Sequence, residues 1–428
     1  MIPIIKTDSI KREELFRTSV TADVEAPVRE ILRAVADRGD KALYDFTERF
    51  DRCRLSSLTV GNGEIESALK RVDPKFLTVL REAADRIRDY HSAQKRSGYR
   101  MTNRDGIAVG QRILPLDTVG LYVPGGTAAY PSSVLMNVIP AVVAGCRRVI
   151  VTTPPRPDGT VPDEILAAAS VAGAETIFKL GGAQAVAAMA FGTESVPRVD
   201  KICGPGNAFV AEAKRQVYGR VDIDMIAGPS EILVLADGKS DPRWLAADLL
   251  SQAEHDRKAT AVLVTDSESL AGAVAAELER QIPLLPRAEI AGASIENNGR
   301  IVVTSSFDAA VAIANEIAPE HLEICTDDPF PVLEGIRNAG SVFLGRYCPE
   351  ALGDYFAGPN HTLPTGGTAR FSSPLSVDDF VKKSQFIFAE REPLRTVADK
   401  VALFAEKEGL SAHARSMTVR FSGEDQKP

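Results

Sequence analysis

One tryptophan, five histidines and five cysteines in 428 residues exclude every chemistry that works by repeating those types. The cysteines, Cys53, Cys146, Cys203, Cys325 and Cys348, are odd in number and far apart. With no C-x-x-C pair, neither a disulfide framework nor a thiolate zinc site fits. A lone catalytic thiol stays open, although three of the five sit in apolar or strand-like runs, where buried cysteine is inert packing. No basic block interrupts the net charge of −8, and an acidic surface repels phosphate backbones and anionic lipid heads. Nucleic acid and membrane are therefore not expected as partners. No apolar run approaches a membrane span, and the charged stretch Met1 to Arg12 lacks the apolar centre of a signal peptide. A cytoplasmic protein is expected.

What is present is an ordinary globular composition, 44% hydrophobic and 25% charged, in a chain long enough for more than one core. Val28, Ile31, Leu32 and Val35 recur at helical spacing between Pro27 and Gly39, and a second helix starts at Asp73-Pro74 with Phe76, Leu80, Ala83 and Ile87 on one face. From there the character changes. Short apolar runs, Thr118 to Val123, Arg148 to Thr152, Lys201 to Cys203, Glu231 to Leu235 and Ala261 to Thr265, alternate with helical stretches, as in a parallel sheet covered by helices. Ile301 to Thr304, His321 to Thr326 and Ser341 to Leu344 extend the pattern. The units Val119 to Thr153 and Glu231 to Asp266 have nearly the same strand-to-strand spacing, which marks a candidate internal duplication.

The expected fold is α/β, with two Rossmann-like parallel-sheet domains over 111–228 and 229–373. A mostly helical region over 1–110 precedes them, and a small helical extension over 374–428 follows, with helix from Ser376 through Phe404 and a disordered tail from Ser422 to Pro428. Fifty residues are too few for an independent core, so the extension should pack on something else, a partner subunit among the options.

Four of the five histidines fall in short polar segments: Ser251 to His255, Ala318 to His321, Gly353 to His361 and Glu408 to His413. His91, in the charged run Arg86 to Arg96, is expected on a solvated helix face. Any one such segment is read more readily as a histidine hydrogen-bonded in a loop; four together favour a site. Gln252 and His255, three apart at a helix end, face the same way and could grip one ion, with Asp354 and His413 able to complete it. An N/O ligand set without thiolate suits Zn2+, with Mn2+ or Co2+ as substitutes. Glu320-His321 opens a strand-like run and forms a plausible base pair of residues. Neighbours on a regular strand point to opposite faces, so both serve one site only if the backbone bends where the strand starts.

Three glycine-rich segments, Tyr122 to Gly126, Gly181 to Gln184 and Gly204 to Asn207, precede or open helices, where free N–H groups favour a pyrophosphate. None is a full G-x-G-x-x-G fingerprint, so an unconventional dinucleotide site is the most that the pattern permits.

The stretch Ile223 to Glu231, running on through Leu249 to His255, resembles the signature of the histidinol dehydrogenase family. Similar agreement covers Gly120 to Gly126, Gly181 to Gly192, Asp200 to Gln216, Asn315 to Leu322, Gly353 to Thr365 and Glu408 to His413. The resemblance implies an NAD-dependent oxidation of L-histidinol through L-histidinal to L-histidine. Gln252, His255, Asp354 and His413 are implied zinc ligands, with zinc holding the substrate more than polarising it. Ser230, His321, His361 and Glu408 are implied substrate contacts alongside those ligands. Tyr122, Gln184 and Asn207 are implied to line the NAD site, and Glu320 and His321 to be the catalytic pair. It also implies an intertwined homodimer, in which the C-terminal segment completes the partner's site. Two competing readings are a relative that oxidises another small alcohol, such as a sulfonated propanediol, and a zinc hydrolase. The second fits poorly, since the chain lacks H-E-x-x-H.

Overall fold

The computed structural model describes residues 2–6, 24–125 and 129–422. Its strands are β1 (Ile4–Lys6), β2 (Tyr99–Thr102), β3 (Ala108–Pro115), β4 (Thr118–Tyr122), β5 (Arg148–Thr153), β6 (Thr176–Lys179), β7 (Lys201–Cys203), β8 (Asp222–Ile223), β9 (Glu231–Ala236), β10 (Thr260–Thr265), β11 (Arg300–Val303), β12 (His321–Cys325), β13 (Ser341–Leu344) and β14 (Val381–Phe388). The chain divides into two compact units, one of residues 1–94 and 116–380, the other of 95–115 and 381–428.

The large unit holds two all-parallel sheets. The first runs β6-β5-β4-β7-β8, and the second runs β1-β11-β10-β9-β12-β13. Apart from β1, both follow one winding: third, second, first, fourth, fifth strand. The shared order agrees with the matched spacing of β4-helix-β5 and β9-helix-β10. Both faces of each sheet are covered, so the strands read as continuous apolar runs. In β9, for example, Ile232, Val234 and Ala236 enter one core and Leu233 and Leu235 the other, as a period of two requires.

Helices Glu25–Arg38, Asp40–Phe50, Asn62–Arg71 and Pro74–Ser92 make the N-terminal region mostly helical as expected, the first and last being the two that the periodicity predicts. Asp73 caps the last of these through Lys75 N–H, and Leu80, Ala83 and Ile87 are buried. His91 corrects the sequence reading: it is fully buried rather than solvated. Its Nδ1 lies 2.7 Å from Gln94 Oε1 and its Nε2 3.3 Å from Asn360 Nδ2. Gln94 Oε1 can only accept, so Nδ1 carries the proton and Nε2 accepts from Asn360. Asn360 Nδ2 also donates to Met136 O at 2.6 Å, which ties down the residue next to His361.

Two other expectations change. Residues 4–6, counted with the helical N-terminal region, form β1 and pair with β11 of the second sheet. The helix expected from Ser376 through Phe404 is instead a 3₁₀ turn at Val377–Phe380, strand β14 and helix Arg391–Lys407. β14 pairs antiparallel with β3 along its whole length, and β2 joins β3's other edge. That partner lies more than 250 residues back along the chain, so no local pattern announces the strand. Gly126 and the tail from residue 423 onward lie outside the described residues. Among those described, no helix is long and apolar enough to cross a membrane.

Candidate active site

Two concentrations of polar chemistry lie in the large unit, one for each parallel sheet. The first sits at the carboxyl ends of β4, β5, β6 and β7, around the point where the strand order reverses, the usual ligand position in an open parallel sheet. A cavity of about 580 Å³ opens there. Tyr122 ends β4, Gln184 lies in the first turn of helix Gly182–Phe191, and Asn207 caps helix Ala208–Val217 by accepting from Phe209 and Val210 N–H. All three line the cavity, so the three glycine segments meet at one place.

The glycines there serve close approach. Gly204 has φ +112, and a Cβ on it would lie 2.0 Å from Tyr122 O. The Gly204 peptide is held from both sides, its N–H by Asp224 Oδ2 at 2.7 Å and its carbonyl by Lys214 Nζ at 3.0 Å, and Lys214 and Asp224 form a buried ion pair with each other. Gly182 N–H donates to the Tyr122 hydroxyl at 3.1 Å.

The second concentration lies where β9 and β12 start, at the amino ends of the second sheet. Helix Phe307–Ile317 ends at Ala318, which takes a left-handed φ of +52, and Pro319 follows. This is the bend that Glu320 and His321 need. Both then grip the same backbone residue across the sheet. Glu231 N–H donates to Glu320 Oε2 at 2.9 Å, and His321 Nδ1–H donates to Glu231 O at 2.9 Å. Since that carbonyl can only accept, Nδ1 carries a proton in either charge state of the ring, and Nε2 is the nitrogen that gains or loses the second proton. Nε2 is buried with no hydrogen-bond partner, 3.7 Å from Asp354 Oδ1 and 3.9 Å from Glu350 Oε1.

Helix Glu350–Tyr355 brings Glu350 and Asp354 to this point one turn apart. Gly353 lets it approach, since a Cβ there would lie 2.6 Å from the ring of Phe343, which packs beside His321. Glu323, on the same strand face as His321, accepts from Glu350 N–H at 2.7 Å. Ser251 Oγ lies 2.7 Å from Glu350 Oε2. One position further on helix Pro242–Ala253, Gln252 is 1% exposed and its Oε1 has no partner. His255 follows that helix end and His361 the buried Asn360; both imidazoles sense the charge of Asp354. Ser230 immediately precedes β9, and its carbonyl accepts from Thr260 N–H at 2.9 Å.

Burial dominates the electrostatics. It pushes Glu320 up to about 7 against the pull of His321, and Glu350 up to about 8 with the help of Asp354. It pushes His255 and His361 down, toward the neutral imidazole that binds a cation. For His321 burial acts in the same direction, but the carboxylates of Glu320, Asp354 and Glu350 outweigh it and raise it to about 10. Asp354 is also buried, yet His321 and His361 hold its carboxyl well below the ordinary value.

His321, Glu350 and Asp354 offer donor atoms all within 4.8 Å of one another, close enough to share a cation. Of the sequence-predicted ligands, Gln252, His255 and Asp354 are in this unit. Buried amide oxygen, neutral imidazole and carboxylate are a donor set that fits a divalent metal. His413 and the substrate candidate Glu408 lie on the smaller unit, where both are exposed. Glu350 was missed by sequence reasoning. Its only signal is the four-residue spacing to Asp354, which places two carboxylates on one helical face.

The Histidinol dehydrogenase family profile matches residues 16–421. A histidinol dehydrogenase of Geobacillus kaustophilus is 57% identical over 97% of this chain and 99% of its own length. The chain belongs to the histidinol dehydrogenase family. The histidinol dehydrogenase of Clostridium acetobutylicum is 52% identical over 98% of this chain and 99% of its own. The crystal structure of the Elizabethkingia anophelis enzyme superposes with a TM-score of 0.94 at 35% identity, covering 99% of both chains. Family membership makes this chain an NAD-dependent oxidoreductase of histidine biosynthesis, in a family that uses NAD and a metal.

Proposed function

We propose that this chain oxidises L-histidinol to L-histidine in two successive two-electron steps at the amino ends of β9 and β12, with the first-sheet cavity holding the nicotinamide dinucleotide. The observation that carries the reading is the His321–Glu320 pair. One backbone residue fixes both side chains, leaving Nε2 of a buried imidazole, the nitrogen that can gain or lose a proton, without a hydrogen-bond partner beside a carboxyl poised near neutrality.

Gln252, His255, Asp354 and His413 would hold Zn2+. When bound, the metal would supply a fixed anchor for the substrate, and the dinucleotide would be the hydride acceptor. Around them the chain's own residues move protons. In its neutral form, His321 takes the hydroxyl proton of the alcohol on Nε2 as the carbon is oxidised to the aldehyde. Glu320 takes a proton from water as it adds to that aldehyde while His321 returns its proton to the carbonyl oxygen, and His321, neutral again, removes a hydroxyl proton of the hydrate in the second oxidation. Ser230, His361 and Glu408 contact the substrate and keep the reacting carbon in place between steps, so the aldehyde does not diffuse away. The tail bearing Glu408 and His413 completes the site of a second copy in a homodimer. All five cysteines are free, as suits work in the reducing cytoplasm.

Limiting L-histidinol with excess NAD, followed by nicotinamide absorbance, should yield two reduced cofactors per substrate and histidine as product. One reduced cofactor with free aldehyde would overturn the reading. A panel including sulfonated propanediols separates it from a relative of different substrate.

A further inference from the structure

In a doubly wound domain the acid that grips a nucleotide's ribose hydroxyls normally stands at the carboxyl end of the second strand. Here that strand, β5, runs into Thr153-Pro154-Pro155 and offers no acid. The cavity nevertheless contains one carboxylate among its described lining residues. It comes from outside the sheet: Asp51, at the end of helix Asp40–Phe50 in the N-terminal layer. Its Oδ2 is buried and has no hydrogen-bond partner. Burial raises the Asp51 carboxyl to about 6, and its charge in turn reaches the Tyr122 hydroxyl.

A buried acceptor with nothing to accept lacks its donor. Backbone conformation draws attention to the same place. Among the described residues only two non-glycines take positive φ, Ala318 and Arg52. Ala318 sets up Glu320 and His321, and Arg52 at +56 follows Asp51 directly. Ile31, Phe50, Pro154 and Ile165 give the cavity apolar wall suited to the face of a purine.

We infer that Asp51 accepts hydrogen bonds from the adenosine ribose hydroxyls of the dinucleotide and thereby selects NAD over NADP. This rests on the assignment of the cavity to the dinucleotide made above. At Asp51 the chemistry is one-sided, although Arg156 also lines the cavity: an ionised carboxylate only accepts, a vicinal diol supplies two donors, and a 2′-phosphate supplies neither donor nor compatible charge. The selectivity follows from an N-terminal helix end, not from the sheet.

The test measures kcat/KM for NAD and for NADP with saturating L-histidinol, in the wild type and in Asp51→Asn, Asp51→Ala and Gln184→Ala. Thermal melts check that each variant folds. The NAD-to-NADP ratio should favour NAD in the wild type and fall by about tenfold or more in both Asp51 variants. The ratio is unmoved by a loss of folded protein. A wild type indifferent to the 2′-phosphate, or Asp51 variants that keep the ratio, would overturn the inference. If Gln184→Ala raises KM for NAD while the Asp51 variants keep the ratio, only the role of Asp51 fails. If Gln184→Ala also leaves KM unchanged, the assignment of the cavity fails, and the role of Asp51 with it.

Discussion

Glu320 and His321 illustrate how much a single backbone residue can organise. Their shared anchor, Glu231, removes the rotameric freedom of both side chains and fixes which imidazole nitrogen is the base. In Glu320→Gln the shape remains and the base is lost, so oxidation of the aldehyde should fall by about two orders of magnitude or more while oxidation of the alcohol falls much less. Supplying histidinol or its aldehyde with NAD separates the half-reactions, and equal losses would contradict the assigned role. The pH profile gives an independent check. With Glu320 raised to about 7, the base is ionised above that value and neutral below it. The wild-type aldehyde step should decline as pH drops through 7, and Glu320→Gln should flatten that limb.

At the scale of elements, the loop from Gly204 to Asn207 is held at its start by side chains of its neighbours and at its end by the Asn207 cap. Lys214 and Asp224 are 2% and 1% exposed and clamp the Gly204 peptide between them. Removing the cation alone leaves a buried carboxylate uncompensated, so Lys214→Met should cost about 3–5 kcal/mol and raise KM for NAD as the loop slackens. The double change Lys214→Met with Asp224→Asn should cost less than the sum of the two single changes in urea denaturation. Strict additivity would mean that the pair does not act as a unit. β14 makes a different point about elements. Val381–Phe388 carries a mixed run of charge and bulk, exposed along most of its length, with no clean period to read. It is a strand because β3 is available to pair with it.

For the whole molecule, the smaller unit poses the question of what its surface is for. Tyr99, Met101, Ile387, Phe388, Leu403 and Phe404 are all more than half exposed there, in the unit that also displays Glu408 and His413. An apolar surface of this kind suits association with a second copy. If the tail of one chain completes the site of its partner, chains bearing His413→Asn have a sound body and a defective tail, and chains bearing Glu320→Gln the reverse. Co-refolding the two should give hybrids in about half the dimers, each with one intact site, and return about a quarter of wild-type activity. Activity that stays at the mutant baseline, with hybrids verified by affinity tags, would show that each site is built within one chain.

Local physics in the sequence was enough to determine the parallel-sheet class, most strand positions, the first and last of the N-terminal helices and the polar segments around Gln252, Glu320 and Asp354. Each depends on periodicity, turn chemistry or residue type over a few positions, and those act wherever the chain goes. Tertiary structure alone decided the rest. It buried His91 against Asn360, turned the expected helix at Val381 into β14, and brought Glu350 beside His321. It also carried Asp51 from an outer helix into the cavity of the first sheet. The reason is common to all four: burial, long-range strand pairing and the convergence of distant side chains are energies of contact between segments, and no window along the chain contains both partners.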